Sequence, residues 1–237
     1  MIKWDTYFGE KPYSNNLNST SERTIIQIGD ECLAEYMPSK WNDQCRRQIA
    51  YIIATVGWET NLSFQPVQEA YYIVPESKRK SALIKYYTTG PGRNSKATII
   101  KEINGRTVLF TGRGYIQLTH DYQYKEFSFL LFGDDRMYEN PDMALDPDVA
   151  MDILITWFYK KHRARLDRYT GEGYWDLKKL RGIVNGTDKW DLIGAQAKKN
   201  YNALNWEDKI SIFEPVSLYE RLKLSLNTLY NLNKLYL

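Results

Sequence analysis

Residues 49–59 read Ile49-Ala50-Tyr51-Ile52-Ile53-Ala54-Thr55-Val56-Gly57-Trp58-Glu59. Ile49, Ile52, Ile53 and Val56 recur at i, i+3, i+4 and i+7, the spacing that lines one face of an α-helix. A helix is expected from about Asn42 to Trp58, with Glu59 at its end. At about 100° per residue, Glu59 falls at roughly 280° when Ile49 is set to zero, and Ile52 at roughly 300°. Glu59 therefore extends the edge of the buried stripe and not the solvated face. It also occupies the negative end of the helix dipole. Both circumstances disfavour a charged carboxylate, the condition a general acid requires. The residues allow a second reading equally: a partly buried glutamate paired with an arginine such as Arg113.

Outward from this helix the pattern remains helical. Residues 13–21 are polar and read as a loop, with Ser21 capping a helix from Glu22 to about Met37. Ile25, Cys32, Leu33 and Tyr36 share one face of it. Asp146-Pro147-Asp148 is a helix start: a capping acid, proline at the first position and a second acid on the positive end. Val149, Ala150, Ile153, Leu154, Trp157 and Phe158 then form a buried stripe, and another helix is expected from about Lys189 to Leu204. Residues 61–111 are mixed, with a break at Gly90-Pro91-Gly92. From Val108 to Thr119 the sequence becomes β-like, with Gly112 and Gly114 allowing close backbone approach. In a strand there, Tyr115, Gln117 and Thr119 share one side, and Ile116 and Leu118 the other. The fold class is thus mainly α (α+β) with a small β element. Beyond residue 205, Pro215 interrupts the chain, and Ser217 with Glu220 forms a capping box. Leu218, Leu222, Leu226 and Leu229 follow at helical spacing. Residues 1–205 then form one domain and 206–237 a helical tail, which packs on that domain or offers a surface for self-association or docking.

Composition narrows the chemistry. With 32 Lys and Arg against 29 Asp and Glu, the 237-residue chain has a net charge of +3. That is too balanced for binding driven by counterion release, so no nucleic-acid partner is expected. His120 and His162 are the only histidines and HExxH is absent, so a metal site needing several histidine ligands is not expected, and no cofactor is called for. Cys32 and Cys45 match no metal-ligand spacing and read as reduced, partly buried thiols; a disulfide would need an oxidising compartment. The N-terminal residues, MIKWDTYFGEKPYSNN, lack the apolar core of a signal peptide. The apolar run Ile49–Trp58 is too short to span a bilayer. Carboxylates remain as the candidate agents. Glu69, beyond Pro66 and so in a loop, can face the helix-borne Glu59 as a base facing an acid, with Glu76 and Glu102 as other carboxylates in the same irregular region.

Three ordered stretches carry a resemblance: Gly57-Trp58-Glu59-Thr60, Gln65-Pro66-Val67-Gln68-Glu69-Ala70-Tyr71, and Gly112-Arg113-Gly114-Tyr115-Ile116-Gln117-Leu118-Thr119. Asn140-Pro141-Asp142-Met143-Ala144-Leu145-Asp146-Pro147 and Ile183-Val184-Asn185-Gly186-Thr187-Asp188 follow in order. Together they resemble the family 19 glycoside hydrolases, chitinase-type enzymes that include many bacteriophage endolysins, and the endolysin branch is the most similar. The likeness spans roughly residues 5–204. It implies a lysozyme-like, two-lobed helical fold with a small β-hairpin, and inverting hydrolysis without a metal or a covalent intermediate.

By motif, the resemblance makes Glu59 the general acid, Glu69 the general base and Thr119 the residue holding the attacking water between them. Thr60, Asn61, Tyr71, Tyr115, Gln117, Gln123 and Asn185 are implied to contact substrate. Arg113 and Trp58 stand near the site. Trp58 departs from the family, which usually has histidine before the acid, and is expected to dry the acid's surroundings. No counterpart emerges for an arginine that some chitinases place on the last helix, and segment 74–104 also departs from the family. The implied substrate is peptidoglycan, or a chitin-like polysaccharide, cut at β-1,4 bonds between N-acetylated amino sugars. The alternatives are a chitinase on chitin oligomers, a lytic transglycosylase using Glu59 alone, and a non-catalytic virion component. Without a signal peptide, such a protein would be made in a host cytoplasm and released to the wall, or carried on a phage particle.

Overall fold

The structure, a computed structural model, describes residues 1–13, 17–36, 42–171 and 173–205. The expected tail helix lies outside the described residues. The architecture is mainly helical. In chain order come α1 (Trp4–Gly9), α2 (Ser19–Tyr36), α3 (Asp43–Glu59), β1 (Val67–Gln68), α4 (Glu76–Thr88), α5 (Lys96–Ile99), β2 (Ile100–Ile103) and β3 (Arg106–Leu109). They are followed by β4 (Arg113–Gly114), α6 (Asp121–Phe132), α7 (Arg136–Glu139), α8 (Pro147–Ile155), α9 (Arg163–Tyr169), α10 (Leu177–Val184) and α11 (Trp190–Ala203). No helix among the described residues is long and apolar enough to cross a membrane.

α3 is the central helix. Asn42 caps it, its side chain accepting from the Cys45 amide. Every residue from Gln48 to Gly57 is buried, including the predicted stripe. α2 and α11 pack against it. Asn200 of α11 ties the bundle together: its amide donates to the Tyr13 hydroxyl and the Ala50 carbonyl, and its oxygen accepts from Tyr7. α8 begins as predicted, with Asp146 accepting from the Asp148 and Val149 amides. Its stripe runs on through a π-helical turn, Thr156–Lys161, that buries Trp157 and Phe158. α2 begins two residues before the predicted cap. Asn18, not Ser21, accepts from a first-turn amide, and the buried Ser21 hydroxyl donates to the Ser63 carbonyl instead.

The β structure differs from the predicted strand. Among the described residues, two separate two-stranded antiparallel sheets form, β2 with β3 and β1 with β4. The β2–β3 hairpin turns at Asn104-Gly105, both with positive φ (51° and 72°), the left-handed pair a two-residue hairpin loop demands. The β1–β4 pair sets Val67 opposite Gly114 and Gln68 opposite Arg113. After Gly114 the chain does not extend: residues 115–117 turn, and Leu118 folds back to bridge Arg113. The face alternation expected for 115–119 is therefore absent, and Tyr115, Ile116 and Leu118 are all buried.

Two hydrophobic clusters result among the described residues. The larger gathers α2, α3, α6, α8 and α11. The smaller consists of Leu83 and Tyr87 from α4, Ile99 from α5 and Leu109 from β3.

Candidate active site

Glu59 closes α3, and its chemistry is set by a residue from α10. The Arg181 guanidinium donates to Glu59 Oε1 at 2.5 Å, with Arg181 only 2% exposed and the Glu59 side chain 12%. Arg181 Nε donates to the Asp188 carbonyl, which fixes the plane of the fork. Glu59 is thus paired with an arginine, as the second reading of the sequence allowed, beside the burial and the helix end. Arg113 is not that partner. Its guanidinium is buried against Asp142 and also donates to the Leu109 and Thr111 carbonyls. Beneath Glu59, Thr55 and Tyr51 continue a polar line at i−4 and i−8 through the buried face of α3. Burial pushes the Tyr51 phenol up to about 12, with Arg181 opposing and Glu59 reinforcing the shift.

Glu69 follows β1 and is held from two sides. Its amide donates to the Gly112 carbonyl at 2.7 Å, and the Gly112 amide returns a bond to Glu69 Oε2 at 3.1 Å. From α4, the Tyr87 hydroxyl lies 2.9 Å from Oε1 and 3.1 Å from Oε2. Burial, and then the Glu69 charge, hold the Tyr87 phenol far above its ordinary range, so it remains a donor.

The segments bearing the two glutamates meet. Asn61, two residues after Glu59, donates its side-chain amide to the hydroxyl of Tyr71, two residues after Glu69, at 3.1 Å. Trp58, Tyr71 and Tyr72 are exposed beside this junction, Trp58 by 41% and Tyr72 by 76%. The open indole corrects the expectation that Trp58 dries the acid's surroundings.

The remaining predicted residues divide. Thr60 is fully buried: its hydroxyl donates to the Val56 carbonyl and accepts from the Phe64 amide, so it ends the helix and lines no cleft. Tyr115 is 2% exposed within the core, which removes it from a substrate surface. Gln117 spends its amide on the Val67 and Gly114 carbonyls, bracing β1 against the turn. The Thr119 hydroxyl donates to the Gln117 carbonyl at 2.6 Å, and the Thr119 amide donates to the Gln123 side chain at 3.3 Å. Asn185 is exposed at the C-terminal end of α10, one turn beyond Arg181.

Arg181 and Tyr87 were missed by sequence reasoning, though each left a trace. Arg181 follows Leu177 at i+4 and Leu180 at i+1, so a cation interrupts an apolar helix face. Tyr87 follows Leu83 at i+4 in the segment that departs from the family. Among the described residues, no group of three or more His, Cys, Asp or Glu side chains is placed to hold a metal ion. No family model, no curated protein and no solved structure matches the chain.

Proposed function

We propose that this chain is a glycosidase that hydrolyses β-1,4 bonds between N-acetylated amino sugars of peptidoglycan by inversion, on a lysozyme-like, two-lobed fold. The observation that carries the reading is the Asn61–Tyr71 contact, which joins the segment just after a helix-end glutamate to the segment just after a loop glutamate, each glutamate held by its own donors. Family resemblance at the same motifs supports it.

In this mechanism Glu59 donates its proton to the leaving glycosidic oxygen while Glu69 removes one from water. The water oxygen bonds the anomeric carbon as the carbon–oxygen bond breaks, and the electron pair leaves with the protonated oxygen. Arg181 stabilises the carboxylate that proton donation leaves on Glu59. The Gly112 amide and the Tyr87 hydroxyl present Glu69 for proton capture. The exposed rings of Trp58 and Tyr71 suit the apolar faces of sugars, and the tyrosine hydroxyl suits their polar edges.

Mass spectrometry of digests of purified peptidoglycan and of chitin oligomers tests the substrate and the bond. Proton NMR of the fresh product tests its anomeric configuration. Inverted, hydrated reducing ends from peptidoglycan support the proposal. Anhydro-sugar ends, a retained configuration or no cleavage would overturn it.

A further inference from the structure

Segment 74–104 folds into α4, α5 and β2, and its small core of Leu83, Tyr87 and Ile99 with Leu109 of β3 has one polar product. Tyr87 is 8% exposed, its ring is packed in that cluster, and its hydroxyl reaches both oxygens of Glu69. A single O–H shared between two carboxylate oxygens restricts rotation about the last side-chain bond, and the Gly112 amide fixes the same group from the other side. The Tyr86 ring packs edge-on against the Tyr87 ring, at 4.9 Å between centroids. A carboxylate has about four acceptor positions, so these two donors leave room for a water on the same group.

We propose that Tyr87 is the positioning residue for Glu69, and that the α4–hairpin segment exists at this site to deliver its hydroxyl. The inference rests on Glu69 acting as the base under the proposed function. Among the described residues, the other titratable and charged groups near this carboxylate include Arg79 and Tyr86 on α4, Arg113 on β4 and Tyr124 on α6. Arg79 is spent on the Gln68 side chain and the Ile73 and Tyr71 carbonyls. Arg113 is spent on Asp142 and on backbone. Tyr124 donates to the Thr111 carbonyl. Among the described residues, Tyr87 is thus the side chain that hydrogen-bonds Glu69 directly.

The test is Tyr87→Phe, which keeps the ring in its cluster and deletes the donor. On peptidoglycan, kcat is expected to fall about tenfold with KM unchanged, because a hydrogen bond to a charged group is lost. A readout independent of activity is the carboxyl carbon-13 chemical shift of Glu69 in glutamate-labelled protein at pH 7, assigned by loss of the signal in Glu69→Gln. That shift should move in Tyr87→Phe, whose amide spectrum reports that the fold is kept. An unmoved shift overturns the proposal, as does an unchanged kcat. A moved shift in a protein whose Glu69→Gln variant still cleaves keeps the Tyr87 contact and overturns the assignment of Glu69 as base.

Discussion

Replacing Glu59 by leucine would strand the Arg181 guanidinium, which is 2% exposed and among the described residues keeps only the Asp188 carbonyl as a partner. Two unit charges about 4 Å apart at an effective dielectric near 20 attract by about 4 kcal/mol. Removing one partner of a buried pair costs about 3–5 kcal/mol, because the other charge stays desolvated. For a chain of this length each kcal/mol lowers the melting midpoint by about 2–4 °C, so Glu59→Leu should melt roughly 6–20 °C below wild type. Arg181→Met should cost less, because Glu59, at 12% side-chain exposure, lies nearer to water. The double variant, Glu59→Leu with Arg181→Met, should return to within about 1.5 kcal/mol of wild type, since an apolar pair of similar volume often replaces a buried ion pair without loss. Urea unfolding of all four proteins at pH 7 closes the cycle, and all three variants should lack glycosidase activity. Additive losses in the double variant, or a neutral Glu59→Leu, would refute the view that the pair is desolvated and mutually dependent.

Asp146→Ala removes the acceptor for the Asp148 and Val149 amides and should cost about 1 kcal/mol in urea unfolding. Gly114 has φ +80°, and a Cβ there would lie 2.9 Å from the Ala144 carbonyl oxygen. Gly114→Ala should therefore lose about 1–3 kcal/mol in the same assay. Burial, followed by Arg165 and Lys161, holds His162 below its ordinary value of 6.5. Its imidazolium is thus disfavoured in the folded state, and the unfolded chain binds more protons in the window below 6.5. Stability is full above that window and falls as pH drops through it. Between pH 7.5 and pH 5 the urea midpoint of wild type should accordingly fall further than that of His162→Gln.

The parts of the fold that were legible are those in which one period dominates. The stripe of Ile49, Ile52, Ile53 and Val56 and the Asp146-Pro147 start involve local geometry and burial acting together, and the structure keeps both. The strand expected at 115–119 failed because glycine-rich composition marks departure from regular structure as readily as strand entry. Gln117 adopts φ 55° and braces the turn with its own amide, a tertiary role that no alternation rule contains. The hairpin that forms turns at Asn104-Gly105, a pair passed over in the sequence although it is a stronger signal than Gly112 and Gly114, because a two-residue loop needs paired positive φ values. In the site, Glu59 was legible from its angle on α3 because burial is a property of one helix. Its partner was not: Arg181 is 122 positions away, and Arg113 fits equally well when only charge is considered.

Arg113 shows what decided between the two arginines. It lies on β4 opposite Gln68 and joins that strand to Asp142 in the Pro141–Leu145 turn and to Tyr124 on α6. Its neighbour Gly112 is the residue that grips Glu69 by both backbone groups. Arg113 therefore braces the platform of the loop carboxylate, whereas Arg181 pairs with the helix carboxylate. Glu59 takes its place from the large cluster around α3, and Glu69 takes part of its place from the small cluster that seats Tyr87. Because the supports are separate, a change in the small cluster should reach the reaction through Glu69 while the Glu59–Arg181 pair, and the stability that depends on it, stays as it was.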